Sequence, residues 1–260
     1  MPSFSQKKQP QILNTSKGVD IAYHALQGKS PGVIFLGGFH SDMDGTKAVA
    51  LDQWCQDNGR AFLRFDYSGH GASSGQFEDG CIGDWAIDAL SALDHLTQGP
   101  QVLVGSSMGG WISLLVAHAR PERIVGLLGV AAAPDFTEDL MWSDLNAAQR
   151  AELNAKGKVC LPCDYDPGEP YVITKKLIED GKNNLLLRGP LNINIPVRLI
   201  QGMQDADVPW KTALKLQDVL TSGDVEIQFV KNGDHRLSEA KDLLRLTRTL
   251  DHLLKDVENA

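Results

Sequence analysis

Short apolar, β-branched runs alternate along this chain with longer segments whose apolar residues recur at helical spacing. That is the pattern of strands joined by helical crossovers in a parallel sheet. Strands are expected at 31–37 (PGVIFLG), 61–67 (AFLRFDY), 100–106 (PQVLVGS), 124–132 (IVGLLGVAA), 196–202 (PVRLIQG) and 225–230 (VEIQFV), with 19–26 (VDIAYHAL) as an antiparallel edge strand. Helical patterns cover about 44–58, 80–97, 109–119, 210–221 and 238–255, several of them ending at Gly or Pro. The predicted fold class is α/β, with a mostly parallel, doubly wound sheet. Residues 135–190 break the alternation: they are rich in charge and hold helix-like pieces near 146–156 and 170–181. They are expected to form a helical cap inserted into a core made of 1–134 and 191–260. No internal repeat or low-complexity linker marks the cap off as a separately folding unit.

Composition narrows the picture. With 260 residues, 42% of them apolar, the chain can fill a substantial core, and wholesale disorder is not expected. Twenty-five Lys and Arg against 33 Asp and Glu leave a formal charge of −8, which disfavours a nucleic-acid or anionic-membrane partner at long range. No uninterrupted apolar run approaches the roughly 20 residues of a membrane span, so no transmembrane segment is expected. The N-terminal MPSFSQKKQPQIL has two lysines but neither an apolar segment after them nor the arginines of a transit peptide. The expected location is the cytoplasm, or the mitochondrial matrix for a processed form. Cys55, Cys81, Cys160 and Cys163 are too scattered for a disulfide framework. The Cys160/Cys163 pair lacks a second pair for a structural zinc, so ordinary reduced thiols and no metal or other cofactor are expected.

Candidate chemistry begins at Gly105-Ser106-Ser107-Met108-Gly109, which follows one expected strand and opens a helix. This is the context of a nucleophile elbow: a turn so tight that its flanking positions need glycine, with the serine raised at the carboxyl edge of the sheet. In that position the hydroxyl also meets the N–H groups of a helix N-terminus. Ser107 is the expected nucleophile and Ser106 the intervening residue. A serine needs a base that is itself oriented by a carboxylate, and in the α/β-hydrolase fold both follow it in sequence. Of His118, His235 and His252, only His235 lies in a loop directly after a strand, so it is the expected base. For the acid, Asp205 and Asp207 compete in GMQDADVPW; the spacing Gly-x-x-Asp-x-x-Val-Pro favours Asp205.

The oxyanion formed on attack needs two N–H donors. Met108 is expected to supply one, and Phe39 the other from Leu36-Gly37-Gly38-Phe39, although those glycines would also suit a plain turn. DYSGHG at 66–71 is expected to brace the site through turn hydrogen bonds, with His40 and His70 lining the pocket or serving structure. Leu140, Met141 and Trp142 in the cap are expected either to wall an apolar acyl site or to pack the cap onto the core.

GGFHSDMDGTKA, RFDYSGHGASSG, GSSMGGW, and GMQDADVPW followed by GDHR together resemble the α/β-hydrolase family of palmitoyl-protein thioesterase and mycophenolic acid acyl-glucuronide esterase. The likeness spans nearly the whole chain. It implies a triad at Ser107, Asp205 and His235, with cleavage of thioesters such as S-palmitoyl cysteine and of acyl glucuronides. The function expected is therefore that of a serine hydrolase acting on esters or thioesters through an acyl-enzyme. Its partners would be small-molecule substrates and, by the resemblance, S-acylated protein. A peptidase of the same fold and a catalytically silent ligand-binding protein are the alternatives. Dehalogenase and epoxide hydrolase chemistry fall away, because in this fold they place a carboxylate at the elbow.

Overall fold

The central apolar runs form strands buried on both faces. In the computed structural model, which describes residues 9–161 and 171–259, every residue of β5 (Gln101–Ser106) and β9 (Val197–Gly202) is buried. Together with β3 (Lys29–Leu36), β4 (Arg60–Phe65), β6 (Ile124–Val130) and β10 (Val225–Val230) they run parallel, while β1 (Gln11–Asn14) and β2 (Asp20–Leu26) are antiparallel at one edge. The order across the eight-stranded sheet is β1-β2-β4-β3-β5-β6-β9-β10.

Because side chains alternate along a strand, the sheet feeds two cores. Val33, Phe35, Val102 and Val104 pack with Leu51 of α1 (Thr46–Asp57) and with Leu250 and Leu253 of α7 (Ala240–Glu258), the helix that follows α6 (Lys211–Val219) in the chain. Ile34, Leu36 and Leu103 face the other way, against Trp85 and Leu93 of α2 (Ile82–Leu96) and Trp111 and Ile112 of α3 (Met108–Ala119). The register brings the carboxyl ends of the strands level. Leu36 pairs with Gly105, Gly105 with Gly129, Val130 with Ile200, and Gly202 with Val230. The loops that leave these ends therefore share one edge.

Three strands depart from the sequence expectation, β1, β7 (Lys158–Leu161) and β8 (Tyr171–Thr174). β1 carries no apolar period and is mostly exposed, so nothing in its pattern announces a strand. The segment expected to be helical from 170 begins as β8, paired antiparallel with β7. Helix α5 (Lys175–Asn183) starts only after it. The reason is local: Tyr-Val-Ile-Thr is β-branched and aromatic, and Thr174 Oγ1 accepts the Leu177 N–H at 3.1 Å as an N-cap.

Between β6 and β9 the chain also forms a π-helical turn, Thr137–Trp142, and α4 (Ala147–Lys156). Leu145, Leu153, Val159, Ile173 and Ile178 make a small core of their own there. This excursion is bolted to α2. Asp180 accepts the Gly83 N–H at 2.7 Å, and the Lys176 ammonium reaches the Asp84 carboxylate at 2.7 Å. Its two ends are clasped by Asp135, a fully buried residue at φ 60°, whose carboxylate accepts the N–H groups of Leu186 (2.7 Å) and Leu187 (2.9 Å).

Asp135→Ala would leave both N–H groups without their acceptor, at about 1–3 kcal/mol each. The expected result is a loss of about 2–6 kcal/mol in urea unfolding, with Asp135→Asn less affected because it keeps one acceptor oxygen. An unchanged urea midpoint in Asp135→Ala would show that the clasp carries no stability.

Candidate active site

Ser107 joins β5 to α3 with φ 53° and ψ −118°, a conformation that L-residues adopt only under constraint. The constraint is visible on both sides. A Cβ at Gly105 would sit 2.3 Å from the Gly109 carbonyl oxygen and 2.4 Å from Ser113 Oγ, and a Cβ at Gly109 would sit 2.0 Å from the Leu36 carbonyl oxygen. Only glycine lets α3 approach the sheet this closely. The turn is then pinned to the end of β6, where Ser107 donates its N–H to Val130 (3.0 Å) and its carbonyl accepts from Ala133 (3.1 Å). Ser106 is the buried last residue of β5.

The structure brings three of the expected site residues into one hydrogen-bonded row. Ser107 Oγ lies 3.1 Å from His235 Nε2, and His235 Nδ1 lies 2.9 Å from Asp205 Oδ2. With Nδ1 donating to the carboxylate, Nε2 is left to accept the serine proton. The Asp205 side chain has no solvent exposure, yet four donors surround it. Besides His235 these are Gln201 Nε2 at 3.0 Å and the N–H groups of Asp207 (2.9 Å) and Val208 (2.8 Å). Asp207 is exposed and meets Asp205 through its backbone. His118 and His252 lie on α3 and α7.

The loop after β3 passes beside the serine: a Cβ at Gly38 would come 3.4 Å from Ser107 Cβ. Phe39 N–H has no hydrogen-bond partner among the described residues, and Met108 N–H belongs to the first turn of α3, where helical N–H groups lack an intrahelical acceptor. Of the two expected oxyanion donors, Met108 thus directly follows the serine and Phe39 lies one residue from the glycine that passes beside it. The loop is braced from behind by Asp66, which accepts Met43 N–H at 2.6 Å and Ala72 N–H at 2.8 Å. A Cβ at Gly71 would come 2.2 Å from Asp66 Oδ2, so DYSGHG wraps its own carboxylate. Burial pushes the Asp66 carboxyl up, and those two backbone donors oppose the shift.

The three cap residues divide. Leu140 and Met141 pack against the main core, whereas Met141 and Trp142 also flank the cap's own small core. The Trp142 ring lies 4.9 Å from the Arg150 guanidinium and 4.8 Å from the Lys182 ammonium. Sequence reasoning did not anticipate the aromatic surround of the loop after β3. Phe39 meets Phe77 (4.8 Å between centroids), Phe136 (5.7 Å) and Tyr171 (6.0 Å), while His40 stacks on Phe77 at 3.5 Å. These residues come from four separate segments, so no spacing could have announced them. Gln201, next to the glycine that ends β9, was likewise legible only as a strand residue.

Among the described residues, the side chains close enough to share a metal ion are Asp205, Asp207 and His235, with ligand atoms within 4.8 Å. Asp205 has already committed both oxygens to four donors, which argues against that use. A cavity of about 340 Å³ bounded by Gly32, Phe62 and Gln101 opens at the opposite, amino ends of the strands, away from this chemistry. Cys55 and Cys81 are buried, with burial pushing each thiol up to about 12; Cys160 is exposed and free, and Cys163 lies outside the described residues. No described helix is long and apolar enough to cross a membrane.

Comparison with known proteins places this geometry in context. Residues 30–175 match the family model described as serine aminopeptidase, S33. The chain is 42% identical over 254 residues to the mitochondrial palmitoyl-protein thioesterase ABHD10 of Pongo abelii, covering 98% of this chain and 83% of that protein. The solved structure of mouse α/β hydrolase domain-containing protein 10 superposes with a TM-score of 0.90 at 40% identity, covering 96% of this chain and all of that one. A crystal structure of a hydrolase from Agrobacterium vitis S4 superposes equally well, at 39% identity over 94% of this chain and 98% of its own.

His70 is 4% exposed, and its Nδ1 lies 3.2 Å from the Ser68 carbonyl, to which it donates. The ring is boxed by Tyr67, Phe77 and Trp85. Burial lowers its pKa to about 4, against a smaller opposing effect of the Ser68 carbonyl. A histidine held neutral in the fold takes its proton only on unfolding, so the unfolded chain binds more protons between the two pKa values. Stability is therefore expected to fall as pH drops from about 6.5 towards 4, through this group. His70→Phe should flatten that part of the urea-midpoint profile; an identical slope in wild type and variant would assign the acid sensitivity elsewhere.

Proposed function

The chain belongs to the α/β-hydrolase family of the palmitoyl-protein thioesterase ABHD10, and on that premise we propose that it hydrolyses acyl thioesters and esters through an acyl-enzyme on Ser107. The observation that carries the reading is the row Ser107 Oγ, His235, Asp205, together with a Phe39 N–H that has no partner among the described residues. As Ser107 Oγ attacks the substrate carbonyl carbon, its proton passes to His235 Nε2. The carbonyl oxygen takes up the negative charge and accepts from Phe39 N–H and Met108 N–H. Asp205 holds the ring in the productive tautomer and offsets the imidazolium charge. That imidazolium then protonates the departing thiolate or alkoxide, leaving the acyl group on Ser107. A water activated by the same imidazole hydrolyses the acyl-enzyme and restores the serine.

The ABHD10 proteins are named for palmitoyl-protein substrates, which favours an S-acylated thiol, small or protein-borne, as the substrate class here. The aromatic surround of the oxyanion loop supports an apolar acyl group. The segment 135–190 is assigned the choice of substrate, since the reacting groups lie outside it, and Leu140, Met141 and Trp142 are its acyl-facing residues in this reading. No cofactor enters the reaction. The location proposed is the cytoplasm in a bacterium, or the mitochondrion as in the named relatives. A second reading, aminopeptidase chemistry, is favoured by the family description; it would form the same acyl-enzyme from an amide.

A fluorophosphonate probe should label wild type at Ser107 and leave Ser107→Ala unlabelled. Turnover of a palmitoyl thioester should fall on the order of 10⁴-fold or more in that variant, with Ser106→Ala far milder. Hydrolysis of an aminoacyl anilide in preference to the thioester would establish the peptidase instead. Unimpaired thioester turnover in Ser107→Ala would end the proposal.

The acid is tested separately. Asp205→Asn keeps the shape but loses the charge and the acceptor for Nδ1–H, so kcat should drop on the order of 10³–10⁴-fold. Asp207 contributes its backbone N–H, which Asp207→Asn retains, so that variant should stay near wild type. The opposite ranking in folded protein would move the acid to Asp207.

A further inference from the structure

Lys47 occupies the second position of α1, following the N-cap Gly45. Two physical effects oppose a lysine there. The helix N-terminus carries partial positive charge, and the residue is half-buried. Burial brings its pKa down to about 8, with Asp234 and Asp242 acting to raise it and Arg236 to lower it further. A local rule broken without an evident gain in stability marks a site where something else is being held.

What the ammonium holds is the carbonyl oxygen of Arg236, at 2.5 Å. Arg236 directly follows His235 in the sequence. Upstream, the histidine loop is tied to the acid loop, because Gln204 donates its N–H to Gly233 (2.9 Å) and a Cβ at Gly202 would come within 2.5 Å of the Asp234 carbonyl oxygen. Within the loop, Asp234 accepts the Leu237 N–H at 2.9 Å, and Leu237 itself is held at φ 43°. Lys47 spans 189 residues to fasten the downstream side. Its own helix begins where the oxyanion loop ends, and that loop is anchored by Met43 N–H on Asp66 and by Arg64, which donates to the Met43 carbonyl at 2.7 Å and pairs with Asp52 at 2.6 Å.

We infer that Lys47 is a positioning residue for the base: its hydrogen bond to the Arg236 carbonyl ties the loop of His235 to the segment that presents Phe39 N–H. The two halves of the site, base and oxyanion donor, are thereby held around one reacting carbonyl. The charged groups facing the ammonium are Asp234 and Arg236 on the histidine loop and Asp242 on α7, the last paired with Arg245 at 2.7 Å. Deprotonation as pH rises through about 8 removes the charge from the tether, so the wild-type rate should decline on that side. The inference rests on the triad proposed above.

The test compares wild type, Lys47→Met and Lys47→Arg by thioester turnover, by the rate of fluorophosphonate labelling and by thermal unfolding. Methionine keeps most of the stem and loses the donor. Lys47→Met should lower kcat and the labelling rate by about 10- to 100-fold, the scale of a small misplacement at a reacting centre, with KM little changed. Arginine retains a donor that does not titrate, so Lys47→Arg should recover most of the rate and lack the decline above about pH 8. Wild-type rates in Lys47→Met would overturn the inference. So would a parallel loss of rate and melting temperature in both variants with the alkaline decline intact, which is the signature of packing alone. Failure of the underlying mechanism would look different: wild type itself would not label, or Ser107→Ala would still turn over.

Discussion

The passage of the chain from β5 into α3 is the constraint on which the rest of this structure depends. Two positions without side chains, Gly105 and Gly109, let a helix start within contact distance of the Leu36 carbonyl oxygen at the end of β3. That approach forces Ser107 into a left-handed conformation and aims its hydroxyl off the carboxyl edge of the sheet. It also sets the first turn of α3 beside the loop carrying Phe39. The elbow serine and the start of α3 are thus both placed by one close contact. Strain is concentrated near this edge: His40, Ala131 and Leu237 also have positive φ.

Such strain persists only where neighbours over-determine it, and here the neighbours are carboxylates held by backbone. Asp205 sits between the histidine and two N–H groups of its own loop, and Asp66 sits between the oxyanion loop and the DYSGHG loop. Each replaces lost water with directed donors, the condition under which a buried carboxylate is tolerable. The two differ in their reach. Asp66 is satisfied by backbone alone and acts as a brace, whereas Asp205 gives one oxygen to two side chains, Gln201 and His235, and the other ring nitrogen of His235 faces the serine. The same chemistry serves structure in one loop and the proposed reaction in the other.

The segment between β6 and β9 shows a third use. Asp135 ties its two ends together, and Asp180 and Lys176 fasten it to α2, so it is fixed to the sheet at its base and along one flank. Tyr171 brings the inner strand of that segment against Phe39 and His40. The aromatic surround of Phe39 is therefore assembled partly from the core and partly from this segment.

Much of this was already written in the chain. The alternation of continuous apolar runs with helical spacing is enough for a doubly wound sheet, because strands buried on both faces leave no other pattern. The elbow is legible because glycine is a steric requirement there, and Ser107, Asp205 and His235 stand out because each follows an apolar strand in the order the α/β-hydrolase fold uses. Contacts across long sequence separations were not legible. The aromatic group around Phe39 and the tether from Lys47 to Arg236 join segments with no local signal of each other. The strand at Tyr171–Thr174 was hidden too, since a half-apolar stretch reads as helix until its partner, Lys158–Leu161, is beside it. Local sterics and period are properties of the sequence; which distant backbone carbonyl a lysine will meet is decided only when the sheet register brings the strand ends level.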